Sequence, residues 1–253
     1  MLQLDIALAL DPSLLMRLSG LVPDPWQQEL LRSPFTRQLL LCSRQTGKST
    51  TTAFLALHEA IYRERALVLM LSPSLRQSQE LFRKALHAYG KLPIRPASIN
   101  ENSLRLELAN GSRIISLPGR EETIRGFSGV SLLIIDEASR VTDELYYSVR
   151  PMIAVSSGRL ICLSTPFGRQ GFFYEEWTQN NDWSRLKITA DQCSRISPEF
   201  LDEERKSLGP HRFAQEYFCE FLETSYQVFG RDLIASAFDQ SIAPLFSRPR
   251  SRA

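Results

Sequence analysis

The feature that most constrains this chain is an apolar run, Leu39 to Cys42, that leads directly into the octapeptide Ser-Arg-Gln-Thr-Gly-Lys-Ser-Thr at residues 43–50. Its spacing follows the phosphate-binding pattern G-x-x-x-x-G-K-[ST], with Cys42 standing where the first glycine is usual. Such a loop needs a buried strand before it and a helix after it. The apolar positions Ala53, Phe54, Leu57 and Ile61 supply that helix. The motif therefore predicts a strand–loop–helix unit of an α/β fold.

The residue types in this loop suit a nucleotide and a magnesium ion. Turn N–H groups and a helix N-terminus together bind anions, and Gly47 lets the backbone approach phosphate because it has no Cβ. Lys48 carries a point charge for the β and γ phosphates, Arg44 adds a second cation, and Ser49 offers a hydroxyl oxygen to Mg²⁺. A chance Gly-Lys-Ser at a junction is the alternative, which the flanking elements disfavour. The predicted nucleotide-binding residues of the loop are Ser43, Arg44, Gln45, Thr46, Gly47, Lys48, Ser49 and Thr50.

Two acids, Asp136 and Glu137, follow the apolar run Leu132 to Ile135. An aspartate at the end of a buried strand is suited to hold Mg²⁺, and a glutamate beside it to accept a proton from the attacking water. Strands also end in acids by chance. Because a phosphate loop lies upstream, with a predicted strand between the two motifs, the pair favours a P-loop NTPase of the additional-strand, catalytic-glutamate type. The predicted activity is a Mg²⁺-dependent ATPase.

Two further signals are weaker when taken alone. Ser164 and Thr165 end an apolar strand and could contact the γ-phosphate or its water, although Ser-Thr-Pro also simply stops a strand. Gln27 follows Pro25 and Trp26, and its amide could donate to and accept from the adenine edge. An ordinary helix start with a core tryptophan explains that segment better on composition alone.

A loop arginine is the remaining candidate. Arg125 precedes the acidic strand, where a cation could stabilise transition-state charge in a neighbouring subunit, as arginine fingers do. Arg120 and Arg113 compete for this role, and exposed loop arginines are common.

Composition and periodicity set the architecture. The 253 residues suffice for one large α/β domain or two small ones, and alternating strand and helix patterns predict a mostly parallel sheet with helices on both faces. We expect a first helix over residues 3–18, a helix over 74–89 that ends at Gly90, and a hairpin that turns at Asn110-Gly111. Two late helices are expected at about 198–207 and 210–219.

Several classes of protein are disfavoured. The net charge is only +2, so the overall charge of the chain does not by itself indicate a nucleic-acid partner. The four cysteines are far apart, which disfavours a metal or disulfide role and fits a reducing cytosol. The apolar runs fall far short of the roughly 20 residues that span a bilayer, so no membrane association is expected.

The ensemble resembles the large terminase subunit of tailed bacteriophages, in particular its N-terminal packaging ATPase, over roughly residues 20–230. The resemblance is carried in order by Pro25-Trp26-Gln27, the loop at 43–49, Ile124-Arg125-Gly126, Ile134 to Ala138, Leu163 to Gly168, Gly171 to Tyr174 and Phe213 to Phe221. It implies an ATP-driven motor that moves double-stranded DNA into a procapsid in the cytoplasm of a bacterial host. It also implies a homo-oligomeric ring that works with a portal protein and a small terminase subunit.

The resemblance implies four residue roles that the pattern alone does not give. Gln27 would bind adenine, Arg44 would sense phosphate, and Arg125 would act in trans within the ring. Ser164 and Thr165 would couple hydrolysis to movement.

The chain departs from this family after Ser225. Only 28 residues follow it, too few for the RNase H-like nuclease domain with which the family continues, so nuclease activity is not expected. We expect an ATPase domain at 1–225, and a linker with the start of the missing domain at 226–253, disordered at its end. The alternatives are a helicase-like ATPase outside packaging and a nucleotide-binding prophage remnant without turnover.

Overall fold

The computed structural model describes residues 2–93, 95–119, 124, 126–179, 182–222 and 236–237. Contacts between Cα atoms divide the chain after Leu222 into Met1–Leu222 and Glu223–Ala253. The second unit lies almost entirely outside the described residues, so the predicted boundary at residue 225 stays a prediction.

Helices and strands alternate along the larger unit. In the described residues the helices are α1 (Leu2–Leu10), α2 (Ser13–Leu18), α3 (Pro25–Arg32), α4 (Lys48–Tyr62), α5 (Leu75–Lys91), α6 (Asp143–Val149), α7 (Gly171–Thr178) and α8 (Pro198–Phe218). The strands are β1 (Arg37–Cys42), β2 (Leu67–Ser72), β3 (Ser98–Glu101), β4 (Arg105–Leu108), β5 (Arg113–Pro118), β6 (Leu132–Asp136), β7 (Arg159–Ser164) and β8 (Ser184–Ile188). Short 3₁₀ turns follow β6, α6 and β8 at Ala138–Arg140, Arg150–Ile153 and Ala190–Gln192.

The eight strands of the described residues form one sheet in the order β3-β4-β5-β2-β6-β7-β1-β8. The pairs from β5 through β8 are parallel, whereas β3 and β4 add an antiparallel edge. Strand β7 lies between β1 and β6, and it is the additional strand of the predicted NTPase type. Because parallel strands end at the same edge, the residues that follow β1, β6 and β7 are brought to one side of the sheet.

Helices cover both faces of this sheet, as expected for a parallel sheet whose central strands, β1, β2, β6 and β7, are buried almost throughout. In β1, Leu40 and Cys42 face the layer built from α1 to α5, and Leu39 and Leu41 face the layer of α6 and α7. Helix α8 contributes Phe213 and Tyr217 to a separate small apolar cluster. The predicted fold class is therefore confirmed.

The single helix predicted over residues 3–18 was wrong. Pro12 cannot donate a backbone hydrogen bond and its ring crowds the preceding turn, so α1 ends at Leu10 and α2 begins at Ser13. The Asp11 carboxylate accepts from the Ser13 N–H at 3.0 Å and from the Ser13 hydroxyl at 2.6 Å. Arg32 of α3 donates to the same carboxylate, which fastens the break in place.

Three other boundaries differ from the prediction or refine it. Helix α5 continues through Gly90 to Lys91, because one helical glycine costs only about 1 kcal/mol and the stop comes from Pro93, which disfavours helical backbone at Leu92. Strand β3 is exposed along its whole length, so it lacks the apolar alternation that would have predicted it. The predicted break between the two late helices appears as a kink at Gly209, φ 73° and ψ 166°, before Pro210.

Within the described residues, no helix combines the length and apolarity that a bilayer crossing requires.

Candidate nucleotide-binding site

The loop between β1 and α4 has the backbone of an anion cradle. Gln45 and Gly47 both have positive φ, 59° and 92°, and α4 begins at Lys48 with Gly47 as its N-cap residue. The Thr46 hydroxyl donates to the Ser43 carbonyl at 3.1 Å, and the Ser43 N–H donates to Ile188 O at 2.9 Å. These bonds hold the loop against β8, so that the N-terminus of α4 is directed toward the edge of the sheet.

Cys42 explains how the loop works without its first glycine. The residue is fully buried and is the last residue of β1, paired with Ile188 of β8. Its φ is not positive, so the conformational freedom of glycine is not required there. Burial raises the pKa of the Cys42 thiol, which keeps it protonated and unreactive.

Lys48 and Glu137 meet across the edge of the sheet. The Lys48 Nζ lies 3.0 Å from the Glu137 Oε1, with Lys48 buried. Burial opposes the ammonium charge, but the carboxylates of Glu137 and Asp136 outweigh it and raise the pKa of Lys48. The lysine therefore stays charged. Its partner Glu137 adopts the left-handed backbone conformation, φ 50° and ψ 43°, which is unusual for a non-glycine residue.

Ser49 and Asp136, the two predicted metal ligands, are in direct contact. The Ser49 hydroxyl donates to Asp136 Oδ2 at 3.0 Å, while the N–H of Glu137 donates to Asp136 Oδ1 at 3.0 Å. Burial raises the pKa of Asp136, and Lys48 counteracts that rise. These two oxygen-bearing side chains lie side by side and fit Mg²⁺, which prefers hard oxygen ligands; they would hold the ion if it is bound.

Gln27 lies against the phosphate loop, and its adenine-binding role stays a prediction. It is buried, and a Cβ at Gly47 would approach its Nε2 to 2.9 Å. The Gln27 Oε1 already accepts from the Asp24 N–H at 2.8 Å in a capping box at the start of α3. A cavity of about 460 Å³ opens beside these residues.

Arg44 is directed toward α8. Its guanidinium pairs with the Glu216 carboxylate, its backbone N–H donates to Glu216 O at 3.3 Å, and its side chain is 59% exposed. The hydrogen bond to Glu216 raises the pKa of Arg44 and burial lowers it; the hydrogen bond is the larger effect, so the pKa is raised. Its predicted phosphate-sensing role stays a prediction.

Ser139 joins the acidic strand end to the Ser164-Thr165 segment. Its N–H and hydroxyl both bond to the Ser164 hydroxyl, at 3.2 and 2.6 Å, and its hydroxyl also donates to Thr165 O at 2.8 Å. Arg140 stacks over the Phe167 ring at 4.2 Å. The turn after Glu137 and the segment after β7 are therefore fastened at two points.

The predicted arginine-finger residues have different outcomes. Arg125 and Arg120 lie outside the described residues. Arg113 begins β5 and pairs with Leu67, the first residue of β2, which places it at the edge of the sheet opposite the phosphate loop.

The sequence analysis missed three residues of this site: Ser139, Arg195 and Glu216. Arg195 is bonded to Asp24 and to Thr46 O. Each of the three contacts a segment distant in the chain. Glu216 lies within the segment Phe213 to Phe221, but no chemical role was predicted for it, and Ser139 and Arg195 belong to none of the motifs named above.

Comparison with known proteins gives a consistent family. The family described as "Terminase large subunit, T4likevirus-type, N-terminal" matches residues 39–236. Curated terminase large subunits of Thermus phage G20c and Thermus virus P23-45 are each 23% identical over 255 residues, covering 86% of this chain and 52% of their own length. The chain thus spans about half the length of these curated relatives.

Solved structures share the fold. The Thermus phage P74-26 large terminase ATPase domain aligns with a TM-score of 0.71 at 22% identity, covering 84% of this chain and 100% of that one. The large terminase of a thermophilic bacteriophage, solved in complex with ADP, aligns with a TM-score of 0.65 at 12% identity, covering 79% of this chain and 54% of that one. Since the family match extends over most of the chain, this protein belongs to the N-terminal domain family of T4-like terminase large subunits.

Proposed function

We propose that this chain is the ATP-hydrolysing motor domain of a phage or prophage terminase large subunit, which drives double-stranded DNA into a procapsid. The observation that carries the proposal is the convergence of Lys48, Ser49, Asp136 and Glu137 at one edge of the sheet. Complexes of the thermophilic bacteriophage large terminase with ADP and with ATP-gamma-S support a nucleotide as the ligand of the shared fold.

Each residue has a defined task in hydrolysis. The loop N–H groups and Lys48 hold the phosphates, and Glu137 accepts a proton from water as the water oxygen bonds to the γ-phosphorus. The bond from that phosphorus to the bridging oxygen of ADP breaks, which releases ADP and phosphate. Ser49 and Asp136 would hold Mg²⁺, whose charge offsets that of the phosphates when it is bound.

The hydroxyl network gives a route by which hydrolysis reaches the rest of the domain. Glu137 and Ser139 belong to one turn, and Ser139 is bonded to Ser164 and Thr165. A shift of Glu137 on loss of the γ-phosphate displaces this turn and hence the segment after β7. Arg44 contributes to phosphate sensing after it parts from Glu216.

Assembly completes the motor. Arg125 acts in the site of a neighbouring subunit within a homo-oligomeric ring. The ring works with a portal protein and a small terminase subunit in the cytoplasm of the bacterial host.

Steady-state ATPase measurements with Mg²⁺, with and without double-stranded DNA and across protein concentration, test the proposal. We expect turnover that Lys48→Ala removes and that DNA and higher concentration increase. Nucleotide binding without turnover under every condition would indicate a non-catalytic remnant. ATPase activity stimulated equally by single-stranded DNA would favour a helicase-like enzyme.

A further inference from the structure

One guanidinium group ties together three segments that are distant in the chain. Arg195 lies between the 3₁₀ turn Ala190–Gln192 and α8. Its Nη1 and Nη2 donate to the two carboxylate oxygens of Asp24 at 2.9 and 2.8 Å. The Nη2 also donates to Thr46 O, inside the phosphate loop, at 2.9 Å. The start of α3, the phosphate loop and the segment before α8 are thus joined by a single side chain.

These three segments, together with α2 and the residues that follow it, line the cavity beside Gln27. Its volume of about 460 Å³ lies within the roughly 300–1,000 Å³ usual for small-molecule sites. Its lining residues combine an apolar side with polar groups and include Met16, Leu21, Val22, Asp24, Gln27 and Arg195. The cavity begins where the phosphate loop ends, because Gly47 and Thr50 also line it. A nucleotide held by its phosphates in the loop would therefore place its base here.

Asp24 transmits the position of Arg195 to Gln27. Asp24 is the N-cap residue of α3, and its N–H donates to Gln27 Oε1 at 2.8 Å. An exposed ion pair contributes little by itself, but the Asp24 side chain is only 14% exposed and the pair is bidentate, which adds strength and geometric definition. Fixing Asp24 therefore fixes the amide that faces the cavity.

We infer that Arg195 is a positioning residue for the nucleobase: it holds Asp24, and through it Gln27, in the geometry that selects adenine. This inference rests on the proposed function, since it assumes that ATP is the ligand. It predicts that Arg195 controls the choice of base more than the affinity for phosphate, although it also touches the phosphate loop.

The test compares MgATP and MgCTP binding to the full chain, by competition with a fluorescent ATP analogue. The readout is the ratio of the CTP dissociation constant to the ATP dissociation constant. We expect Arg195→Ala to weaken ATP binding about tenfold, as loss of a charged hydrogen bond does, with little change for CTP, so that the ratio falls. Arg195→Lys keeps the charge but loses the bidentate geometry, and should lower the ratio by a smaller factor.

Arg63→Ala is the matched control. The Arg63 side chain is 52% exposed and pairs with Glu59, and the Arg195 side chain is 47% exposed and pairs with Asp24. Arg63, however, follows the end of α4 that is far from the phosphate loop. Thermal melting of each variant checks that it is folded, and Arg195→Lys serves if Arg195→Ala is not.

Three results would overturn the inference. Equal weakening of ATP and CTP would mean that Arg195 acts only through the phosphate loop. Unchanged binding of both nucleotides would mean that Arg195 forms only a surface ion pair. A wild-type chain with no preference for ATP over CTP would show that the cavity does not select a base. By contrast, a wild-type chain that binds neither nucleotide defeats the proposed function, and this inference falls with it.

Discussion

The Nζ of Lys48 lies 3.0 Å from the Oε1 of Glu137, so the predicted phosphate-binding cation and the predicted general base are in direct contact. Two elements far apart in sequence, the start of α4 and the end of β6, supply this pair. The Lys48 ammonium group has three hydrogen-bond donors but only one positive charge, which two anionic groups would have to share. If ATP binds as proposed, we expect its γ-phosphate to compete with Glu137 for Lys48, which would free the carboxylate to approach water.

Glu137→Gln separates binding from chemistry. We expect ATP affinity to be kept or slightly increased, because the competing negative charge is gone. The turnover number should fall about 10²- to 10⁴-fold, since the amide cannot accept the proton. Equilibrium binding and steady-state hydrolysis, with Glu144→Gln in the first turn of α6 as control, measure the two effects. Undiminished turnover in Glu137→Gln would remove Glu137 from the mechanism.

Gly47→Ala tests the shape of the cradle. A left-handed residue with a Cβ costs roughly 1–2 kcal/mol, and the new methyl group would approach Gln27 Nε2 to 2.9 Å. We expect lower stability in urea and at least tenfold weaker ATP binding. Gly90→Ala is the control, because Gly90 is helical with open space around it and alanine should stabilise α5 by about 0.5–1 kcal/mol. Equal behaviour of the two variants would contradict the proposed role of Gly47.

The sequence predicted most of this site because its main signals are local. The phosphate loop and the acidic pair are contiguous motifs at strand ends, and the parallel-sheet rule brings those ends together. Gln27 was a weak candidate on its amide chemistry alone and was favoured only through the family resemblance, since nothing local shows that it contacts Gly47.

The rest depends on tertiary contacts that leave no local pattern. Arg195 reaches Asp24 across 171 positions, and Arg44 reaches Glu216 across 172. Periodicity and capping describe neighbours in sequence, so an isolated loop arginine looks like any exposed cation. The error at α1 and α2 was of a different kind, because Pro12 was a visible helix breaker that the apolar pattern on either side outweighed.

Ser139→Ala should destabilise the junction between β6 and β7. Ser164 is fully buried, and the substitution removes its bond to the Ser139 hydroxyl together with the bond to Thr165 O. We expect a loss of about 1–3 kcal/mol, as for other buried polar groups that lose a partner. Urea denaturation measures it. Ser148→Ala, which loses only a bond within α6, should change stability by less than about 0.5 kcal/mol, and an equal loss there would mean that the Ser139 contacts are not special.

The break between α1 and α2 gives a pH-dependent contribution to stability. Arg32, aided by Ser13, lowers the pKa of Asp11 to about 2 from its ordinary value of 3.8. A depressed acid pKa stabilises the fold above the unfolded-state pKa and loses that effect as the pH falls through the folded-state value. Asp11→Asn should therefore lower the urea midpoint at pH 6, with a difference from wild type that shrinks between about pH 4 and pH 2. Arg32→Gln should show the same trend, and a pH-independent difference in both variants would contradict the pairing.

Arg125→Ala tests whether the site is completed by a neighbour. If Arg125 acts in trans, the wild-type turnover per subunit should rise with protein concentration as rings assemble. The variant should stay at the low basal rate, because arginine fingers contribute about 10³- to 10⁵-fold. ATPase assays over a wide concentration range, with assembly followed by light scattering, separate lost catalysis from lost assembly. If Arg125→Ala lowers turnover by the same factor at every concentration, the residue acts within its own subunit. If Arg113→Ala instead abolishes the concentration dependence, the finger has been assigned to the wrong arginine.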